Sequence, residues 1–212
     1  MTHFPENLTD RYRRFHFRHF TPNANHYEEL ATHGQSPDTF IISCCDSRVD
    51  PETIFSAMPG ELFVMRNIAN LVPPYETGGK FHGVSAALEY AALNLRVKHI
   101  VIMGHSGCGG VKAAIEQNTA IETEAHFISK WISMLDEPRM RVLAAHQGMS
   151  RSALASKLEL EAVKTSLDNL RTFPFIQQLE AQGRIALHGA HFDIKVGKLS
   201  VLNQRTGDFF DL

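Results

Sequence analysis

From residue 39 onward the apolar residues of the chain gather into short runs, each closed by a glycine or proline turn and followed by a helical stretch. Thr39-Phe40-Ile41-Ile42-Ser43, Leu62-Phe63-Val64-Met65 after the Pro59-Gly60 turn, and His99-Ile100-Val101-Ile102-Met103 read as three strands. Between the second and third, Val84, Ala87, Leu88, Ala91, Ala92 and Leu95 recur at three- and four-residue spacing, which predicts an amphipathic helix beginning just after Gly83. Strand, helix and strand in that order imply a right-handed crossover between parallel neighbours. Residues 121–182 are helical in composition, with Trp131, Ile132 and Leu135, then Leu154, Leu158, Val163 and Leu167, then Phe175 to Leu179. Ile185 to Ile194 and Leu199 to Leu202 predict closing strands around a turn at Gly197. Residues 5–20 mix charge with Tyr12, Phe15, Phe17 and Phe20, the pattern of a helical arm whose apolar side needs a cover, either its own core or a partner subunit. The expected fold is α/β, a mainly parallel central β-sheet flanked by helices. It forms a single domain over residues 1–212, with an N-terminal helical arm over about residues 1–34.

Composition narrows the function. The chain has 212 residues, 43% hydrophobic and 21% charged, and its 21 Lys plus Arg against 23 Asp plus Glu leave no basic field for nucleic acid. The most apolar stretch, Ile100-Val101-Ile102-Met103, falls far short of the ~20 residues of a membrane span. Met1-Thr2-His3-Phe4-Pro5-Glu6 lacks the basic and apolar regions of a signal peptide, so a cytoplasmic location with reduced thiols is expected. The three cysteines then read as thiols or metal ligands, and the adjacent pair Cys44-Cys45 offers no Cys-x-x-Cys redox motif.

Three soft-ligand positions fall at the ends of two predicted parallel strands: Cys44 or its neighbour Cys45 after the first, His105 and Cys108 after the third. In open α/β sheets sites form beyond the carboxyl ends of strands, so the two segments can meet there. Two residues between His105 and Cys108 let one tight loop aim both at a common ion, and thiolate with imidazole is the donor set of tetrahedral zinc. Three protein donors leave a fourth position open, the mark of a catalytic zinc. Singly, a cysteine is most often a small buried hydrophobe and a post-strand histidine a satisfied loop residue; the conjunction carries the reading. Asp46 and Arg48 add a carboxylate able to accept a hydrogen bond beside a metal and a guanidinium able to hold it. Away from a metal they would be an ordinary loop ion pair.

Cys44-Cys45-Asp46-Ser47-Arg48 resembles the Cys-x-Asp-Ser-Arg motif of the β-class carbonic anhydrases, and His105-Ser106-Gly107-Cys108-Gly109-Gly110 resembles their His-Ser-x-Cys-Gly-Gly motif. Arg66-Asn67-Ile68-Ala69-Asn70 and Leu88-Glu89-Tyr90-Ala91 are similar to further family segments in the same order, as is, more loosely, Leu187 to Ile194; residues 121–182 carry no motif that transfers. The resemblance implies that Cys44, rather than Cys45, joins His105 and Cys108 in binding one zinc ion per chain, with the Asp46-Arg48 pair beside it. It further implies that Gln35, Phe63, Ile68, Tyr90 and the backbone N–H of Gly109 serve substrate.

The implied reaction is reversible hydration of carbon dioxide to bicarbonate and a proton by zinc-bound hydroxide. Alternatives are hydrolysis of carbon disulfide or carbonyl sulfide on the same fold, or a non-catalytic zinc- or bicarbonate-binding protein. A homodimer or larger assembly of dimers is expected, with the N-terminal helices on the neighbouring subunit. In one branch of the family the aspartate corresponding to Asp46 closes onto zinc at low pH, with a tryptophan shortly before the first cysteine. Here Gln35-Ser36-Pro37-Asp38-Thr39 stands there instead, so the open form, with Arg48 holding Asp46 off the metal, is expected.

Overall fold

The computed structural model describes residues 4–79, 82–116 and 126–212. The chain divides into two compact units, one ending at Ser36 and the other running from Pro37 to Leu212. In the first, α1 (Glu6–Phe15) continues through a wider turn over His16–Phe20 and a tight one over Thr21–Asn23 into α2 (Ala24–His33). Pro5 precedes α1, Glu6 stands in its first turn and Arg13 and Arg14 in its last, charges that complement the helix dipole. Aromatic side chains pair within the unit, as Phe20 does with Tyr27 at 4.9 Å, yet none of its described residues is buried. Phe17 remains 77% exposed.

The second unit is built on a six-stranded sheet of β1 (Thr39–Cys44), β2 (Leu62–Asn67), β3 (His99–His105), β4 (Ala186–Asp193), β5 (Lys198–Asn203) and β6 (Asp208–Asp211). The spatial order is β2-β1-β3-β4-β5-β6, parallel through β4 and antiparallel beyond it. A mixed sheet with a parallel majority matches the expected α/β class, and the fifth strand follows the fourth across the Gly197 turn. β6 is an additional edge strand.

The short α3 (Pro51–Ile54) follows β1, its first turn capped by the Asp50 carboxylate, which accepts from Thr53 N at 3.1 Å. The crossover helix α4 (Gly83–Glu89) buries Val84 and Leu88, then widens into a π-helical segment over Tyr90–Leu95 that buries Ala91 and Ala92. Then come α5 (Gly109–Glu116), α6 (His126–Ile132), α7 (Asp136–Ala145), α8 (Arg151–Leu170) and α9 (Pro174–Ala181). The helical reading of residues 121–182 holds from His126; residues 121–125 lie outside the described residues.

Phe40, Ile42, Leu88, Ile100, Ile102, Val163, Leu167 and Phe173 form the main core. A second apolar cluster gathers Leu135, Val142 and Leu158 around Cys44 and Cys108 at the carboxyl end of the sheet. Helix α8 lies against β3 and β4. Gly104 and Gly189 admit it: a Cβ on either would come within 2.8 Å and 2.9 Å of the Val163 side chain. Among the described residues no helix is long and apolar enough to cross a membrane.

Candidate metal centre

Parallel pairing of Ser43 with Met103 sets the ends of β1 and β3 side by side, so Cys44 and His105 emerge at the same edge. Gly107, at φ 69°, turns the chain back sharply enough for Cys108 to face the same point just before α5 begins. One ligand atom each of Cys44, His105 and Cys108 lies within 4.8 Å of the others, and the two sulfurs are 4.0 Å apart. All three residues are buried, whereas Cys45 is exposed and stands outside the cluster.

His105 Nδ1 donates to the Ser106 carbonyl at 3.0 Å, which leaves Nε2 with its lone pair. That Nε2 is buried and has no hydrogen-bond partner. A buried acceptor without a partner is costly, and a metal ion is the partner that an imidazole nitrogen between two sulfurs fits. The sulfurs point the same way. A hydrogen bond from Cys108 lowers the Cys44 thiol to about 4, helped by the neighbouring His105 and then by the amides of Asp46 and Ala69. The same bond, with burial, pushes Cys108 far up. Without a cation the pair thus shares a proton; a dication there makes thiolates of both. The Val111 and Gly110 amides at the start of α5 point at Cys108 and oppose part of that rise, as a helix start does for a thiolate.

Asp46 lies beside this cluster and is tied to Arg48. Arg48 Nε donates to Asp46 Oδ1 at 2.9 Å, a terminal guanidinium nitrogen to Oδ2 at 2.7 Å, and the Arg48 amide to Oδ1 at 3.0 Å. These hydrogen bonds hold the Asp46 carboxyl well below the usual carboxylate range. Oδ2 lies 4.0 Å from His105 Nε2, so the carboxylate faces the cluster. The same guanidinium nitrogen also reaches the Gly107 carbonyl at 3.2 Å, joining the two loops.

Residues 39–199 match the Carbonic anhydrase family. The chain is 38% identical over 194 residues to Beta carbonic anhydrase 3 of Arabidopsis thaliana, covering 91% of this chain and 74% of that protein. This chain belongs to the β-class carbonic anhydrases. The structure of the β-carbonic anhydrase CcaA superposes with a TM-score of 0.91 at 31% identity, covering 98% of this chain and 91% of that one. A tetrameric β-carbonic anhydrase of the filamentous ascomycete Sordaria macrospora gives 0.72 at 29% identity, covering 93% of each chain.

Several residues of this carbonic anhydrase support the centre without having declared a role in the sequence. Arg66, on β2, donates to the carbonyls of Cys44 at 2.9 Å and Asp46 at 2.7 Å, and so fixes the backbone between them. Asn67 closes the next turn by accepting from Leu71 N and donating to Leu71 O. Inside it Ala69 takes φ 61°, a left-handed conformation uncommon for alanine, and turns its amide toward Cys44. All three belong to the segment that resembles the family, but their bonds could not be read from the sequence. Glu159, on α8, lies where only helical spacing was visible.

The remaining expected site residues are dispersed. Ile68 flanks the segment that carries Cys108: a Cβ on Gly110 would lie 2.7 Å from its side chain. Its carbonyl accepts from Trp131 Nε1 at 2.8 Å. Gly109 opens α5, where a helix leaves its first N–H groups unused. Phe63 and Tyr90 pack together with ring centroids 5.9 Å apart, but Phe63 pairs in register with Phe40, four positions before Cys44. At about 3.3 Å per residue that is roughly 13 Å along the sheet. Tyr90 is 47% exposed. Gln35 belongs to the first unit and is exposed.

Proposed function

We propose that Cys44, His105 and Cys108 hold one zinc ion per chain, and that this centre hydrates carbon dioxide reversibly to bicarbonate and a proton. The observation that carries the reading is the buried triad with His105 Nε2 left unpartnered. Zinc bound there supplies a Lewis acid that lowers the pKa of water toward neutrality. Asp46 accepts a hydrogen bond from the reacting water and orients it; because it stays ionised, it remains an acceptor throughout the working pH range. Arg48 occupies both carboxylate oxygens, which favours the open arrangement with Asp46 off the metal. Ile68 lends an apolar wall to carbon dioxide, and the Gly109 N–H a donor to a product oxygen.

We also propose a dimer or an assembly of dimers in which Gln35, Phe63 and Tyr90 complete the neighbour's cleft. Phe63 and Tyr90 form a partly exposed aromatic pair displaced from their own chain's triad, the aromatic arm is uncovered, and the Sordaria relative is tetrameric.

Metal analysis with stopped-flow carbon dioxide hydration tests both the ligands and the reaction. Wild type and Cys45→Ser are expected to carry zinc and activity, and Cys44→Ser to lose both. Zinc retained by Cys44→Ser but lost by Cys45→Ser would overturn the ligand assignment. Hydrolysis of carbonyl sulfide without hydration of carbon dioxide would overturn the substrate.

A further inference from the structure

Glu159 is only 4% exposed, in a stretch of α8 whose neighbours Leu158, Ala162 and Val163 are fully buried apolar residues. A carboxylate is costly to bury among them unless it is well partnered, so its partners reveal what it is for. Oε1 accepts two consecutive amides, Gly107 N at 2.8 Å and Cys108 N at 3.1 Å. Oε2 lies 3.5 Å from Nε2 of His191 on β4, a side chain that is itself 12% exposed. The Gly107 unit is therefore gripped from two sides, its N–H by Glu159 and its C=O by Arg48. A further hold comes from the turn just after β4, where Ile194 N donates to Ser106 Oγ at 2.9 Å.

We propose that Glu159 is a positioning residue of the metal centre. Through the Gly107 and Cys108 amides it sets where the Cys108 sulfur stands. It touches neither metal nor substrate; it acts through the loop. The inference rests on the zinc reading above. A cavity of about 330 Å³ lies behind the loop, lined by Glu159, Cys108, Lys112, Arg151, Ser152 and Ser156 among others. Water from it can solvate the two amides when the side chain is shortened, so the chain keeps its fold while the loop loses its fixed point.

The test compares wild type, Glu159→Ala and Glu159→Gln as full chains. It reads zinc affinity by chelator competition, the thiolate charge-transfer spectrum of the cobalt-substituted forms, and the folding of the metal-free forms by circular dichroism. Glu159→Ala is expected to bind zinc about 10- to 100-fold more weakly, the range found when a residue supporting a metal ligand is removed, and to shift the cobalt spectrum. Glu159→Gln keeps an acceptor oxygen for both amides and is expected to stay within about threefold of wild type, well below that range. Wild-type affinity and spectrum in Glu159→Ala would overturn the proposal, as would a Glu159→Gln as weak as Glu159→Ala. Should Glu159→Ala not fold, Glu159→Asp, one methylene short of both amides, decides it: weakened zinc supports the clamp and wild-type affinity overturns it. A wild type that holds no zinc would sink the functional reading and the clamp together, whereas zinc held equally by all variants would sink the clamp alone.

Discussion

Asp46 faces the cluster as a carboxylate, and Arg48 keeps it charged. Its carboxyl is depressed in the folded chain, chiefly by the Arg48 hydrogen bonds. What the pair contributes is therefore present above the ordinary aspartate value of about 3.9 and is lost only as pH falls through the lower folded value. In metal-free, reduced protein, carboxyl-resolved NMR should find Asp46 still ionised at about pH 3.5, and Arg48→Ala should return its midpoint to about 4, the unperturbed range. An Asp46 midpoint near 4 in wild type would remove Arg48 from this role. At this scale the donor residues were legible because the chemistry of metals allows few side-chain types at few spacings. Cys44 and Cys45 were not separable by spacing, since either could follow the strand; the family resemblance points to Cys44, and the structure buries Cys44 beside His105 and Cys108 while it exposes Cys45. Glu159 was invisible for a different reason. A carboxylate on a long amphipathic helix reads as a solvated face unless the turn opposite it is known.

Elements were legible where periodicity was strong. The three parallel strands and the crossover helix lie where the apolar runs placed them, because both strand faces are covered and the apolar signal is dense. β6 escaped notice: Asp208-Phe209-Phe210-Asp211 is short, lies at the sheet edge and is mostly exposed, so hardly any pattern marks it. No sequence rule announced the seat of α8 on β3 and β4 either, although Gly104 and Gly189 make it possible. Gly104→Ala places a methyl within 2.8 Å of Val163 Cγ2. Val163 is fully buried and cannot swing aside, so overpacking is expected to cost about 1–3 kcal/mol in denaturant unfolding. Because Val163 lies one turn from Glu159 on the same helix, that displacement should also weaken metal binding. A variant with unchanged unfolding free energy would show that α8 is not held at this distance.

For the whole molecule, exposed aromatic residues are the informative surface. Tyr12 and Phe17 are exposed on the first unit, and Tyr90 and Leu93 on the second. With the assembly proposed above, deleting residues 1–20 should lower the mass in sedimentation at working concentration while zinc content stays near that of the full chain. An unchanged mass would take the arm out of the interface, and loss of zinc at unchanged mass would give it another role. The arm's helicity was legible from its amphipathic spacing, but what covers it was not, since a cover belonging to another chain leaves no periodicity in this one.

The parallel crossover carries a kinetic consequence. Cys44 and Cys108 are 64 residues apart, and between them lie β2 and α4, so the donors meet only after β3 has docked beside β1. Such non-local closure comes late on the folding path. On the zinc reading proposed above, the ion would then be captured by a chain already largely native and would not act as a nucleus. The rate of refolding from denaturant should accordingly be indifferent to zinc, while the rate of unfolding falls as zinc is raised, since the ion acts on contacts absent from the transition state. The metal would serve this fold as a latch and not as a template, lengthening the life of a structure that it had no part in assembling.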